Sequence, residues 1–348
     1  MITEILLNDE EKWNSVVKSF QNYDVYYLPG YVKAFQINGD GMPVLLYFEG
    51  NNVRAMNVVM KRDVGLFDKL SLTIKEGEYY DIVTPYGYGG FVVEGNDTTQ
   101  LESEYMLYCR NHNIICEFVR FHPTLLNYKQ VGNIYEQKYL GDTIAIDTKD
   151  PETIWNNFTS KNRNMVRKAQ KSGLKVYWTR DNKIIDTFME IYNLTMDKDN
   201  AESYYYFKRV FYESVLNDLK YNALWFYTKI GEEVVAISIF LFANGKMHYH
   251  LSASRKEYQS YAPTNLLLYE AALWASENGY SCLHLGGGLG AGKDSLYSFK
   301  KAFNRQSESH FYIGKRVFIE EIYTKLVEER KKDTLFNVES NYFPLYRA

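Results

Sequence analysis

The sequence predicts a mixed α/β (α+β) fold in two domains, with mostly antiparallel sheets flanked by helices. Three observations lead there. The 348 residues, 46% hydrophobic and 24% charged, are enough for two domains with a core each. Helical periodicities alternate with short β-rich runs along the whole chain. After Gly141 the pattern restarts with a strand and a strongly marked helix start, which sets expected domains at 1–142 and 143–315, with a C-terminal helix and tail, 316–348, packing back on the first domain.

The elements follow in order. Glu10–Phe20 has helical periodicity, and Val44–Phe48 and Val53–Lys61 read as strands around a turn at Gly50 and Asn51. The segment DIVTPYGYGGFVV, Asp81–Val93, sets Pro and glycines between two β-rich ends, a rigid turn that carries Tyr86 and Tyr88. Cys116–Phe121 is a strand running into FHPTLLN, and Thr143–Asp147 is another. Asp150 as N-cap with Pro151 behind it starts a helix. SKNRNMVRKAQKSG is a second, with Ser160 as the expected cap and Gly173 as the stop; Arg163, Arg167 and Lys171 form one cationic stripe on it. A helix around Lys183–Met196 precedes strands Leu224–Lys229 and Val234–Phe242, joined at Gly231, and Lys246–Ala253. Pro263–Glu277 is strongly helical, stopped by Asn278-Gly279, and Cys282–Leu285 is a short strand.

Composition excludes several functions. A net charge of −3 argues against a protein that coats nucleic acid, since counterion release needs a broad cationic excess. Cys109, Cys116 and Cys282 are odd in number and lack CxxC spacing, so neither a disulfide framework nor a zinc ribbon is indicated. The N-terminus MITEILLNDEEKW is acidic where a signal peptide is basic, and the longest apolar run, Val234–Ala243, is too short for a bilayer. A cytoplasmic protein without a membrane segment is expected. With 32 tyrosines and 20 phenylalanines, tyrosine-lined clefts are expected too.

The stretch LHLGGGLGAGKDSLYSFKKAFN, Leu283–Asn304, nearly fits two phosphate-binding loops. From Gly287 it matches a P-loop except that Asp294 replaces the magnesium-holding hydroxyl, and from Gly286 it matches a dinucleotide fingerprint. Both fail on context. A P-loop sits on the first strand of its domain, and the fingerprint must itself open a helix, whereas the next helix here begins around Asp294. The glycines Gly286, Gly287 and Gly288 can instead let a substrate backbone pass close to the strand end. The alternative is a plain glycine turn, with Lys293 and Asp294 in a turn and helix cap.

The order of elements in the second half resembles the N-acetyltransferase (GNAT) fold, in which a splayed strand pair and a helix N-terminus hold the acyl donor. On that resemblance Ala262, Thr264 and Asn265, at the start of the APTN helix, form the donor-phosphate loop. The phrases TPYGYGG, VRFHPTLLN, NRNMVRKAQKSGLKV, YNLTMDKDNAESYYYF, YHLSAS with APTNLLLYEAALWASENGYSCLHLGGG, and DSLYSFKKAFN, taken in order over Tyr80–Leu326, resemble the Fem family of aminoacyl transferases. The resemblance implies two GNAT-like domains and amide formation on an amine of a peptidoglycan-type precursor, either sugar-nucleotide or lipid-linked; the sequence departs from some members in lacking an inserted coiled-coil arm, and so looks like the compact type. It implies aminoacyl-tRNA or acyl-CoA as co-substrate, with no permanently bound cofactor. An acyl-CoA-dependent enzyme acting on a sugar or another envelope precursor and a non-catalytic Fem-like binding protein stay open as alternatives.

The resemblance puts Lys300, in FKKAF, near the oxyanion of the tetrahedral intermediate, and it includes Tyr205 of the YYYF run among substrate-binding residues. Arg163 and Arg167 can clamp phosphates of a nucleotide-linked sugar or a tRNA end, or form a solvated helix face. His248 and His250 share one side of a strand. Without cysteine or carboxylate ligands at the right spacing no metal is expected, and His250 is the candidate base. Tyr86, Tyr88, Arg120 and His122 can rim an acceptor site or pack as a tight turn.

Overall fold

The structure is a computed structural model that describes residues 1–70, 73–307 and 309–348. The chain forms two units: Met1–Leu140 with Phe311–Ala348, and Gly141–His310. The boundaries expected from sequence were 142/143 and 315/316; the units part at 140/141 and 310/311.

The first unit begins with β1 (Ile2–Leu6), α1 (Glu10–Ser19), α2 (Pro29–Asn38), β2 (Met42–Gly50) and β3 (Val53–Asp63). It continues with β4 (Tyr80–Val83), β5 (Val92–Glu94), α3 (Thr99–Asn111) and β6 (Ile114–Arg120). β7 (Glu136–Asp147) carries the chain into the second unit, which adds α4 (Pro151–Asn157), α5 (Ser160–Lys171), β8 (Lys175–Thr179), α6 (Ile184–Lys198) and α7 (Arg209–Asp218). There follow β9 (Ala223–Ile230), β10 (Glu233–Ala243), β11 (Lys246–Ser254), α8 (Pro263–Glu277), β12 (Cys282–Gly286) and α9 (Ser295–Lys301). β13 (Ser309–Val317) returns the chain to the first unit, where α10 (Glu320–Arg330) and the tail complete it.

In the first unit the strand order is β1-β2-β3-β4-β6-β13, with β5 also on β3. All these pairs are antiparallel except β4/β6. A core of Val44, Leu46, Phe48, Phe91, Tyr105 and Val119 forms against α3. The tail is tied down by charge: Asp81 accepts from Arg62 Nε at 2.6 Å, Tyr346 OH at 2.8 Å and Arg347 Nε at 2.5 Å. Burial alone would raise the Asp81 pKa, but the two guanidiniums prevail and hold it below the usual carboxylate range.

In the second unit the order is β7-β12-β11-β10-β9-β8, antiparallel except for β11/β12. α8 buries Leu266, Leu267, Leu268, Ala271, Ala272 and Ala275 in the core. Each fully buried leucine contributes about 2 kcal/mol, so one helix anchors the sheet.

Local signals account for most helix ends. Asp150 accepts from Thr153 N at 2.7 Å with Pro151 behind it, and Asp294 accepts from Tyr297 N at 2.8 Å. The cap of α5 is Thr159, whose Oγ1 accepts from Asn162 N at 3.1 Å, not the expected Ser160, which is the first helical residue. Either hydroxyl could serve by type; the extended backbone of Thr159 decides it. Elements not expected from the sequence include β8, an edge strand exposed at Tyr177 and Trp178 that lacks a clean alternation.

Candidate active site

In the second unit, β11 and β12 pair in parallel at Lys246–Cys282, Met247–Leu283 and His248–His284. Among the described residues the pairing stops there, although β11 runs on to Ser254 and β12 to Gly286. The two strands therefore splay, and backbone groups beyond His248 and His284 do not satisfy one another. Backbone amides left so can take a ligand's amide or carbonyl groups.

At the exit of β12, Gly286 has φ +77° and Gly287 follows; a Cβ on Gly287 would lie 2.9 Å from Asp142 O, so only glycine fits the close approach. The carbonyl of Gly287 accepts a hydrogen bond from Lys300 Nζ at 2.7 Å. Lys300 is 8% exposed. Burial lowers its pKa to about 8, with Asp294 opposing that shift. Among the described residues this is the only hydrogen bond of the ammonium, which has three donors. Lys301 points elsewhere, with Nζ 2.6 Å from Ser307 O, as the 100° turn between successive helix positions requires.

At the start of α8, Ala262 is left-handed at φ +58° and Pro263 follows. No side chain caps this end. Asn265 Nδ2 donates to Asn162 Oδ1 of α5 at 2.7 Å, while Asn162, itself buried, keeps Nδ2 without a partner among the described residues. Ala262, Thr264 and Asn265 thus sit at a helix N-terminus that favours an anion or carbonyl oxygen.

His250, the expected base, lies on β11. Burial, then the neighbouring His248, lowers its pKa to about 3, far from the near-neutral value at which a general base is effective. His248 is buried in ring contact with His284 at 5.5 Å. His284 Nε2 lies 2.9 Å from Thr143 Oγ1.

Arg163 and Arg167 separate in role. Arg163 Nη1 donates to Phe158 O at 2.6 Å and to Trp155 O at 3.4 Å, closing carbonyls at the end of α4. Arg167 is exposed, donates to Asn164 Oδ1 at 3.2 Å and lies 5.0 Å over the Trp155 ring. Tyr205 lies on a short helical turn, Ser203–Tyr205, with Tyr204 at 5.4 Å.

In the first unit, Tyr86, Tyr88, Arg120 and His122 do come together, around a turn bound from every side. Arg120 donates to the carbonyls of Thr84, Pro85 and Gly87 at 3.0 to 3.2 Å. Asn127 Nδ2 donates to Gly89 O and Phe91 O at 2.9 and 3.0 Å, and Tyr31 OH donates to Tyr86 O. Gly87 has φ +91°, and a Cβ there would lie 2.7 Å from the Tyr26 ring. Tyr86 stacks on Phe35, and Tyr88 packs against Tyr26 and Phe311; burial holds the Tyr88 phenol well above its usual range. His122 Nδ1 accepts from Thr124 N at 3.3 Å, which leaves the proton on Nε2, 3.0 Å from Asp24 Oδ2.

Asp142, His310, Asn162 and Asn127 were not foreseen. Asp142 and His310 lie 168 positions apart, and no local motif joins them.

Comparisons agree with the fold. Residues 157–301 match the family model of an acetyltransferase (GNAT) domain. FemX has a similar structure, with a TM-score of 0.67 at 14% identity over 93% of this chain and 99% of that one. L-PGS from Bacillus licheniformis is similar at 0.56 and 13% identity, covering 88% and 92%. A protein from Agrobacterium fabrum, described as the C-terminal domain of a candidate lysylphosphatidylglycerol synthetase, scores 0.55 at 12% identity, covering 92% and 94%. No curated protein sequence matches the chain. The chain has a Fem-like architecture of the GNAT fold and is an acyltransferase. No helix among the described residues is long and apolar enough to cross a membrane.

Proposed function

We propose that this acyltransferase joins an activated aminoacyl or acyl group to an amine of a cell-envelope precursor, forming an amide, with the donor carbonyl at the exit of β12. The observation that carries the reading is the buried Lys300 ammonium beside Gly287, at the mouth of the splayed β11/β12 pair. When an amine attacks a carbonyl carbon, negative charge develops on oxygen. A preset donor at that oxygen is worth about 3 kcal/mol, because it is aligned before the charge appears. The Lys300 ammonium has hydrogens beyond the one used on Gly287 O, and its low exposure strengthens their effect.

Within the first unit, the turn that carries Tyr86, Tyr88, Arg120 and His122 is held rigid by its own hydrogen bonds. Arg167, exposed on α5, meets phosphate of a sugar-nucleotide or a charged tRNA. The expected setting is the cytoplasm.

A second reading has acyl-CoA as donor. It is favoured by the uncapped α8 N-terminus with the Asn162 amide beside it. Incubation with radiolabelled alanyl-tRNA or acetyl-CoA, each with a UDP-sugar pentapeptide as acceptor, separates the two. Transfer of label from alanyl-tRNA into the peptide is the expected result. Transfer from acetyl-CoA alone would select the second reading, and transfer from neither would refute both.

A further inference from the structure

At the β12 exit the second unit holds a carboxylate and an imidazole that no sequence motif links. His310 Nδ1 lies 2.9 Å from Asp142 Oδ1, and Lys293 Nζ lies 3.4 Å from Asp142 Oδ2. An ionised carboxylate only accepts hydrogen bonds, so a neutral His310 carries its proton on Nδ1 and its lone pair on Nε2. The Asp142 side chain is 11% exposed and that of His310 is 50% exposed. A carboxylate held in the protein therefore orients a ring that reaches solvent, the relation between orienting acid and base in nucleophilic catalysis.

The pair's location gives it chemical meaning. β7 and β12 are antiparallel with Ile144 opposite Gly286, so Thr143 and Asp142 run alongside Gly287 and the glycine after it. The Asp142 carbonyl is the atom that a Gly287 side chain would meet, and Gly287 O is the acceptor for Lys300. Thr143 Oγ1 donates to Ser309 O at 3.3 Å, which fixes the residue before His310. The imidazole and the buried ammonium are thus built around the same end of β12.

We propose that His310, oriented by Asp142, is the proton-accepting residue of the transfer; the proposal rests on the acyltransferase reading above. The amine nitrogen attacks the donor carbonyl carbon and forms the N–C bond, and the carbonyl π pair moves onto oxygen beside Lys300. The nitrogen gives up its proton to His310 Nε2. When the oxyanion collapses, the bond from carbon to the leaving ester oxygen or thioester sulfur breaks. The imidazolium returns its proton to that leaving atom, so the enzyme ends in its starting protonation state.

The test is the rate and KM of transfer from labelled alanyl-tRNA and from acetyl-CoA to a UDP-sugar pentapeptide, in wild type, His310→Gln and Asp142→Asn. General base catalysis contributes roughly 10²- to 10⁴-fold, so His310→Gln is expected to lose at least ~100-fold in rate. Its KM for the acceptor should stay within about threefold. Asp142→Asn should lower the rate by less than His310→Gln does, again with KM within about threefold. An active wild type with a His310→Gln variant of full rate would overturn the role of His310 and leave the acyltransferase reading intact. A wild type that transfers from neither donor would refute that reading, and this role with it.

Discussion

Among the described residues, each unit contains one parallel strand pair in an otherwise antiparallel sheet, and the two pairs end differently. In the first unit, β4 and β6 pair through Val83–Phe118. The contact is then prolonged by Thr84 N donating to Phe118 O at 3.1 Å, Gly89 N donating to Arg120 O at 2.8 Å, and a bridge between Gly89 and Phe121. In the second unit, β11 and β12 stop pairing at His248–His284 and splay. One pair is extended by its own chain; the other is not. The difference lies in side chains, since Arg120 and Asn127 tie the turn of the first unit, while glycines and Lys300 occupy the equivalent exit in the second.

The closed pair should resist loosening. Asn127→Ala removes donors to Gly89 O and Phe91 O and the acceptor for His122 N, all buried. Leaving such groups unmet costs 1–3 kcal/mol each, so a loss of about 3–4 kcal/mol is expected by urea denaturation. A loss below ~1 kcal/mol would mean that the turn does not depend on this strap.

The closed side also buries a titrating acid. Glu117, opposite Ile82 in the β4/β6 register, is fully buried; burial raises its pKa to about 7 against hydrogen bonds from Tyr105, Tyr135 and Asn57. The folded state holds this proton more tightly than the unfolded chain. Its stabilisation is therefore complete below the ordinary glutamate pKa and is lost as pH rises through about 7. The change is about 3 kcal/mol between pH 4 and 8. Glu117→Gln should flatten that slope, and an unchanged slope in the variant would assign it to other groups.

Smaller effects are expected on α5 beside the open side. Arg163→Gln removes a donor to helix-end carbonyls and should cost about 1 kcal/mol, whereas Arg167→Gln should change stability by less than ~0.5 kcal/mol. If Arg167 meets substrate phosphate, its removal should weaken acceptor or tRNA binding and flatten the salt dependence. Equal stability losses in both variants would undo the division between a structural and a substrate-facing arginine.

Much of the fold could be read locally. The Asp150-Pro151 and Asp294 starts, the Gly231 turn and the Pro263–Glu277 helix each depend on residues a few positions apart, where capping and turn chemistry act. The site was less legible. Lys300 came from resemblance, not from spacing, and a lysine on a short helix gives no sign that it will be buried. His250 looked like a base because its neighbour His248 shares its strand face, but the burial that weakens it is tertiary. The strap of Arg120 and Asn127 and the pair Asp142–His310 depend on contacts between distant segments, which no periodicity encodes.

The central claim, that the open strand pair with Lys300 is the reaction centre, is tested most directly by turnover of Lys300→Met beside Lys301→Met. Their ammonium groups lie on Gly287 O and Ser307 O respectively, so only the first faces the β12 exit. Lys300→Met should lower kcat about 100-fold with acceptor and donor KM within about threefold, and Lys301→Met should keep kcat within about threefold. Full turnover in Lys300→Met, or equal losses in both, would contradict the account.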